Sequence, residues 1–389
     1  IIQEYEKKSA NEQQSTAKQY PNIITVVNET FADIRVLGDF KTNEDYMPYF
    51  HSLKKNCVTG YTYASIVGGQ TANTEFELLT GNTLGFLSAG TTAFQLYIHG
   101  QMPSLVSNLK AEGYSGNKAM HPFNPYNYNR PAVYKDFGFT DFIDKFDFPK
   151  NVKRVREYIS DEANVDRIIS EYEKNRKKTD QPFYMYNMTI QNHSPYDKDA
   201  ANFKQPIKIE SSQYDAEANR YLNLIKYSDD SLKQLTSYFE KCKEPTIILF
   251  LGDHQPRLTD EFMNKITNGQ YQTWSSEQMM KRYQVPFVIW ANYDIKEQHI
   301  EKTSMNYIQS ILTKTAGVKM TGYQRFLNEV RKEVPTITSQ GYWGKNGKFY
   351  QINDKGSPYY GIIQKYRMIQ YNMMFDKKNR RDSFFEVSK

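Results

Sequence analysis

Cysteine is almost missing from this sequence. Cys57 and Cys242 are the only two in 389 residues, and no CxxC pair occurs. That excludes a disulfide scaffold and a cysteine zinc site, and leaves one isolated disulfide or two free thiols open. Long apolar runs are missing too. None approaches the roughly 20 residues that cross a bilayer, and the longest, TIILFLG from Thr246 to Gly252, has the length of a strand. The chain lacks an initial methionine and opens on IIQEYEKKSANEQQ, which has no signal-peptide pattern. The sequence is read as a fragment cut from something upstream, with residues 1–20 as a linker or surface helix. No stretch interleaves basic and aromatic residues in a nucleic-acid signature, so nucleic acid is excluded as a partner. The net charge of +6 is interspersed. It describes a mildly basic soluble surface, compatible with an anionic membrane or polymer nearby.

What is abundant is aromatic: 31 Tyr and 23 Phe. Much of the core must be built from rings, with phenol oxygens reaching partners at its edges. Apolar strands alternate with amphipathic helices. PNIITVVNE (Pro21–Glu29), TGYTYASIVGG, YSGNKAMH, QPFYMYNMTI, PTIILFLG and VPFVIWANYDI read as strands. NEDYMPYFHSLKKN reads as a helix broken near Pro48, and TANTEFELLTGN as a short helix that opens at Thr71 and stops at Gly81. PSLVSNLKAEG follows with a proline start and a glycine stop. From Gln213 to Lys241 a long stripe runs through Tyr214, Ala218, Tyr221, Leu222, Ile225, Leu232, Leu235 and Phe239. SMNYIQSILTKTAG closes the series with Gly317 as its stop. This alternation predicts an α/β fold with a mostly parallel sheet flanked by helices. The last seventy residues predict a small antiparallel sheet, with Tyr342, Trp343 and Tyr350 packed in it rather than lining a sugar groove, the alternative reading, and a terminal helix over 362–375. The expected division is a linker at 1–20, a catalytic domain at 21–320 and a small α+β subdomain at 321–389.

In open parallel sheets, ligands bind beyond the carboxyl ends of the strands. Three polar features fall there. Glu29 ends IITVVNE, Asp253 and His254 end TIILFLGDH, and Thr71 opens the helix after SIVGGQ. Two carboxylates, an imidazole and a hydroxyl form an oxygen and nitrogen set suited to Mn²⁺ or Zn²⁺, and a metal beside the hydroxyl would activate it as a nucleophile. Each residue alone has a plainer reading: Thr71 as a helix cap, Glu29 as a cap or ion pair. The Asp–His pair is the sharper signal, because two such groups directly after a buried strand are costly unless satisfied.

The motifs VVNETFAD, GGQTANTEFELLTG, MHPFNPYNYNR, TIQNHSPY and LGDHQPRL occur in that order, followed by SMNYIQSILTKTAG and RMIQYNMMF. From about Asn22 to Phe375 the chain resembles the extracellular catalytic domain of the lipoteichoic acid synthase group, sulfatase-like phosphoglycerol transferases of the alkaline phosphatase superfamily. The resemblance implies a sulfatase-like fold and one Mn²⁺, with Zn²⁺ or Mg²⁺ as substitutes, held by Glu29, Thr71, Asp253 and His254. It implies that Thr71 is the nucleophile, that His121 and Arg130 hold glycerol phosphate, and that His193 is the other substrate histidine, which makes it the candidate to protonate the leaving oxygen and deprotonate the acceptor. Three of the six histidines thus fall in matched motifs, while His51, His99 and His299 match nothing and are read as structural or exposed. The family has tryptophan where this chain has Tyr128, so glycerol recognition differs in detail. The implied reaction moves glycerol phosphate from phosphatidylglycerol to a cell-surface glycopolymer on the outer face of a bacterial membrane, by a monomeric catalytic domain that the family tethers through a membrane segment upstream of the linker at 1–20. Polymerisation and decoration with single units both remain open. Other chemistries on the same fold are a sulfatase, a phosphatase or a phosphoethanolamine transferase. A sulfatase needs Cys or Ser at the position of Thr71, and two-metal phosphatases need more His and Asp than these motifs hold. A non-catalytic glycan-binding module is the remaining alternative.

Overall fold

The computed structural model describes residues 2–4 and 20–387, so most of the expected linker lies outside the described residues. In chain order the elements that build the sheet and the site are β1 (Asn22–Asn28), β2 (Cys57–Tyr63), α1 (Thr71–Thr80), α2 (Leu105–Ala111), β3 (Ser115–Met120), α3 (Arg130–Phe137), β4 (Asp141–Ile143), α4 (Asp161–Arg176), β5 (Phe183–Met188), α5 (Ala216–Phe239), β6 (Thr246–Gly252), β7 (Gln284–Ala291), β8 (Gln298–Ser304), α6 (Met305–Thr315), α7 (Gly322–Glu333), β9 (Thr336–Thr338), β10 (Gly341–Trp343), β11 (Phe349–Tyr350) and α8 (Tyr360–Met374).

Eight strands form one sheet in the order β8-β2-β7-β6-β1-β5-β3-β4. Every neighbouring pair is parallel except β2 with β7 and β6 with β7. Helices cover both faces, which is why the central strands read as unbroken apolar runs rather than alternating ones. In β6, Ile247, Leu249 and Leu251 enter one apolar cluster while Ile248 and Phe250 enter the other.

The small antiparallel sheet has the order β9-β10-β11. Tyr342 and Trp343 are buried in it. Tyr342, Ile363 and Tyr366 join the same apolar cluster as Phe76 and Leu79 of α1, and the Tyr366 hydroxyl donates to the Gly81 carbonyl at 2.6 Å. No helix among the described residues is long and apolar enough to cross a membrane. Cys57 and Cys242 are both free thiols.

Several local expectations are corrected. Tyr214 lies before α5, whose N-cap is Asp215, and its ring is 47% exposed rather than part of the buried stripe. Pro48 starts its short helix, Pro48–Ser52, instead of breaking one, as a residue without an N–H does at no cost. The second strand ends at Tyr63, before the Ile-Val-Gly-Gly segment.

Candidate active site and metal centre

Register alone brings the acids together. Parallel pairing matches Asn28 of β1 with Gly252 of β6, so Glu29 and Asp253 leave the sheet side by side. On the other flank Val27 pairs with Met188 of β5, and Asn187 with Met120 of β3. The loop carrying His193 and the residue His121 therefore emerge from the same edge. Four adjacent strand ends supply the site. Gly252 is needed for this packing, because a Cβ there would lie 1.8 Å from the Phe31 carbonyl oxygen.

Glu29, Asp253 and His254 are all buried and offer ligand atoms within 4.8 Å of one another. Backbone N–H groups of Thr30 and His254 donate to Asp253 Oδ1 at 2.6 and 2.8 Å. Asp253 Oδ2 is thereby turned inward, 3.2 Å from His254 Nε2, which lies 3.8 Å from Glu29 Oε1. His254 Nδ1 sits 3.0 Å from the Gln255 carbonyl. A carbonyl only accepts, so Nδ1 carries the proton and Nε2 presents a lone pair. That Nε2 atom is buried without a hydrogen-bond partner among the described residues. A lone pair facing two carboxylates is repulsive unless a cation lies among them, and the donor set is one that divalent metals accept. Burial, reinforced by the charge of Asp253, pushes the Glu29 carboxyl up to about 8. The residues present fit a divalent cation.

Thr71 reaches this group from α1. Its hydroxyl donates to Asp253 Oδ2 at 2.8 Å. The residue that caps α1 is Gln70, held in the left-handed region at φ 64°, and its side chain makes no capping bond. A non-glycine residue there costs about 1–2 kcal/mol. The capping reading of Thr71 is thus set aside: its hydroxyl points to the acids, not to the backbone of its own helix.

Arg130 is buried. Its Nε and Nη2 donate to Glu75 Oε1 at 3.1 and 2.8 Å. Glu75 lies one turn beyond Thr71 on α1, and its second oxygen accepts from Tyr134 and, at 3.1 Å, from Tyr186. Sequence reading missed Glu75. The signal available was its i+4 spacing from Thr71. Tyr128 and Asn129 both adopt left-handed backbone, φ 59° and 57°, and the Arg130 guanidinium lies 5.2 Å from the Tyr128 ring centre.

His121 is buried, and its Nδ1 donates to the Met188 carbonyl at 3.0 Å. Burial, then the nearby Arg130 charge, hold it well below the usual histidine range. His193 is half-buried and stacks on Phe123 with ring centres 6.2 Å apart. Its Nδ1 lies 2.7 Å from the Ser194 carbonyl. Arg156 clamps this loop through the carbonyls of Gln191, His193 and Pro195 at 2.7–2.8 Å, another contributor that sequence reading missed. Asn192 ties the loop to the metal-side strand by donating to Asn28 Oδ1 at 3.1 Å. Of the remaining histidines, His51 forms ion pairs with Asp45 and Asp33, and His299 lies 3.1 Å from the Thr59 hydroxyl.

The sequence matches the sulfatase family over residues 21–318. The chain belongs to the sulfatase family. It is 31% identical over 380 residues to a putative cyclic beta-1,2-glucan modification protein of Rhizobium meliloti, covering 96% of this chain and 57% of that protein. It is 27% identical over 237 residues to the lipoteichoic acid synthase-like protein YvgJ of Bacillus subtilis, covering 60% of this chain and 36% of that one. The chain thus spans little more than half the length of the first relative and about a third of the second. The fold matches Streptococcus pyogenes phosphoglycerol transferase GacH, solved in complex with sn-glycerol-1-phosphate, with a TM-score of 0.76 and 20% identity over 100% of this chain and 95% of that one. The α/β architecture and the likeness to lipoteichoic acid synthases stand as expected.

Proposed function

We propose that this chain is the catalytic domain of a metal-dependent phosphoglycerol transferase. It moves glycerol phosphate from phosphatidylglycerol to a cell-surface glycopolymer through a glycerophosphoryl-threonine at Thr71. The observation that carries this reading is the Thr71 hydroxyl bonded to Asp253, beside a His254 nitrogen that has no hydrogen-bond partner among the described residues. Glu29, Asp253 and His254 would hold one divalent cation with Thr71 beside them, and we assign Mn²⁺, with Zn²⁺ or Mg²⁺ able to replace it. When bound, such a cation lowers the pKa of the adjacent hydroxyl and offsets phosphoryl charge.

Thr71 Oγ1 attacks the phosphorus and gives its proton to the Asp253 carboxylate it already faces. The bond from phosphorus to the diacylglycerol oxygen breaks, and His193 protonates that oxygen from Nε2. The neutral His193 left behind keeps its Nδ1 proton on Ser194, so Nε2 then takes the proton of an acceptor hydroxyl. The acceptor oxygen bonds to phosphorus, and Thr71 Oγ1 leaves and recovers its proton from Asp253. Arg130 has committed two N–H groups to Glu75. Its remaining N–H groups serve the phosphoryl oxygens, in a pocket where charge-assisted bonds are strong. His121 is neutral with its Nε2 lone pair free, so it accepts from a glycerol hydroxyl rather than touching phosphate. Tyr128 supplies the ring face over Arg130. Threonine at position 71 disfavours a sulfatase, since a secondary alcohol cannot give formylglycine. The full-length protein would be tethered at the outer face of the bacterial membrane, where the lipid donor lies, with the catalytic domain monomeric.

The test is diacylglycerol release from fluorescent phosphatidylglycerol by the chain with Mn²⁺. Release that requires both the metal and Thr71 supports the reading. No release, or release unaffected by Thr71→Ala, refutes it.

A further inference from the structure

Two rings stand out from the surface beside the site. Tyr126 is 80% exposed and Phe146 73%, the highest values for any large hydrophobic side chain among the described residues. A single exposed ring is ordinary. These two, however, sit on adjoining loops that sheet register brings to the reacting groups. Met120 of β3 pairs with Ile143 of β4, so the loop of His121, Phe123, Tyr126 and Arg130 runs beside the turn Lys145–Asp147. His121 N donates to the Ile143 carbonyl at 2.9 Å, and Lys145 N to the Phe123 carbonyl at 3.4 Å. The turn itself is fixed. Phe146 N donates to Asp144 Oδ1 at 2.7 Å, Asp144 N to Asp147 Oδ2 at 2.9 Å, and Arg167 Nη1 to the Asp147 carbonyl at 2.9 Å. Phe146 is thus held out in water by its own hydrogen-bonded turn.

A line of rings leads from Phe146 to His193. The Phe123 ring stacks on His193 with centres 6.2 Å apart, and the Tyr158 ring lies 5.8 Å from His193 and 6.1 Å from Phe123. Lys145 Nζ lies 6.0 Å from the Phe123 ring centre and 5.0 Å from that of Phe146, so its side chain spans the gap between the two rings. Phe123, Tyr158 and His193 are each half-buried, which leaves part of each ring open. In the mechanism above, His193 Nε2 protonates the oxygen on which diacylglycerol leaves. The carbon skeleton bonded to that oxygen therefore starts at His193, and the apolar surface beside it is this strip. Phosphoryl charge is met by Arg130 and the metal ligands, none of which belongs to the strip. Hydrocarbon laid on such rings gains by the area it removes from water. A hydroxyl-rich sugar suits the strip less well: Phe123 and Phe146 have no polar side-chain atom, and Asp144 and Asp147 each accept a backbone N–H of the turn.

We propose that Phe123, Lys145 and Phe146 form the subsite for the acyl part of the lipid donor, so that the chain selects its donor by hydrocarbon as well as by headgroup. The inference rests on the transferase reading above, and its test measures binding without turnover. The probes are dibutanoyl- and dioctanoyl-phosphatidylglycerol, both monomeric in solution, titrated by calorimetry into the Thr71→Ala chain with Mn²⁺. The dioctanoyl lipid binds about tenfold more tightly than the dibutanoyl lipid, or better. Adding Phe146→Ser, at an exposed position, raises the dioctanoyl Kd about fivefold or more, leaves the dibutanoyl Kd within about twofold, and moves the melting temperature by no more than a few degrees. Phe146→Leu, which keeps an apolar side chain, retains the gain from chain length. The subsite is overturned if chain length leaves the Kd unchanged, if Phe146→Ser keeps the gain, or if it weakens both lipids alike. It is also overturned if Phe146→Ser weakens binding of a neutral glucose oligosaccharide and spares the lipids, which makes the strip an acceptor site. If chain length and Phe146 act as described while the wild-type chain cleaves no phosphatidylglycerol, the subsite stands and the transferase reading falls. If Thr71-dependent cleavage occurs and chain length has no effect on binding, the subsite falls and the transferase reading stands.

Discussion

Thr71 Oγ1 lies 2.8 Å from Asp253 Oδ2, while the other oxygen of that carboxylate is fixed by two backbone N–H groups. The alcohol is held by an acid that cannot swing away. Thr71→Ala should lower diacylglycerol release by about 10⁴-fold or more, the scale seen when a covalent nucleophile is removed. Thr71→Ser should retain measurable rate, because the hydroxyl is kept. Rates from the fluorescent lipid assay check both, and an alanine variant within tenfold of wild type contradicts the role.

Metal removal should be visible in stability as well as in rate. A cation that binds only the folded chain stabilises it by about 2.7 kcal/mol at one hundred times its Kd. EDTA should lower the melting temperature, and added Mn²⁺ should restore it. Asp253→Asn and His254→Ala should melt at one temperature with or without metal. A wild-type chain whose melting ignores EDTA would speak against the centre.

The Arg130–Glu75 pair is buried on both sides, with side chains 2% and 0% exposed. Removing one partner leaves an unpaired buried charge, which costs about 3–5 kcal/mol. Arg130→Ala and Glu75→Ala should each show that loss in urea unfolding. Arg130→Ala should also raise KM for the lipid, whereas a purely structural arginine would leave the KM of the folded fraction unchanged.

His51 gives a pH dependence of known sign. The Asp33 carboxylate, 3.6 Å away, and then its hydrogen bond to Asp45 push its pKa up to about 9. The folded chain binds that proton more tightly than the unfolded chain, whose histidine titrates near 6.5. The contribution is complete below about pH 6.5 and is lost as pH rises through 9. The melting-temperature gap between wild type and His51→Gln should therefore be widest at pH 6 and close by pH 9.5. A gap that widens with pH contradicts the pairing.

Much of this was legible in the residues because it rests on strong local patterns. Strands buried on both faces declare themselves as apolar runs, and a Gly-Asp-His after such a run marks a strand end with costly polar groups. The start of α1 at Thr71 and its stop at Gly81, which adopts φ 73°, were read from end residues. What escaped was charged or long-range. The helix Asp161–Arg176 is polar over most of its surface, and only its Ser160 cap and the two acids that follow announce it. The helix Gly322–Glu333 hid behind a capping box of Thr321 and Gln324. The i+4 spacing of Glu75 from Thr71 places it near the site, but its partner Arg130 lies 55 residues away and those of Arg156 35–39 residues away, and no local spacing names those partners. Tyr214 fitted the helical stripe by period, but Asp215 caps the helix one residue later.

The most direct test is the intact mass of the chain after brief incubation with Mn²⁺ and phosphatidylglycerol in acceptor-free buffer, followed by acid quench and peptide mapping. The account predicts one glycerophosphoryl group per chain, on the peptide containing Thr71, and none on Thr71→Ala. Lipid cleavage with no adduct on the chain, or an adduct that persists in Thr71→Ala, would contradict it.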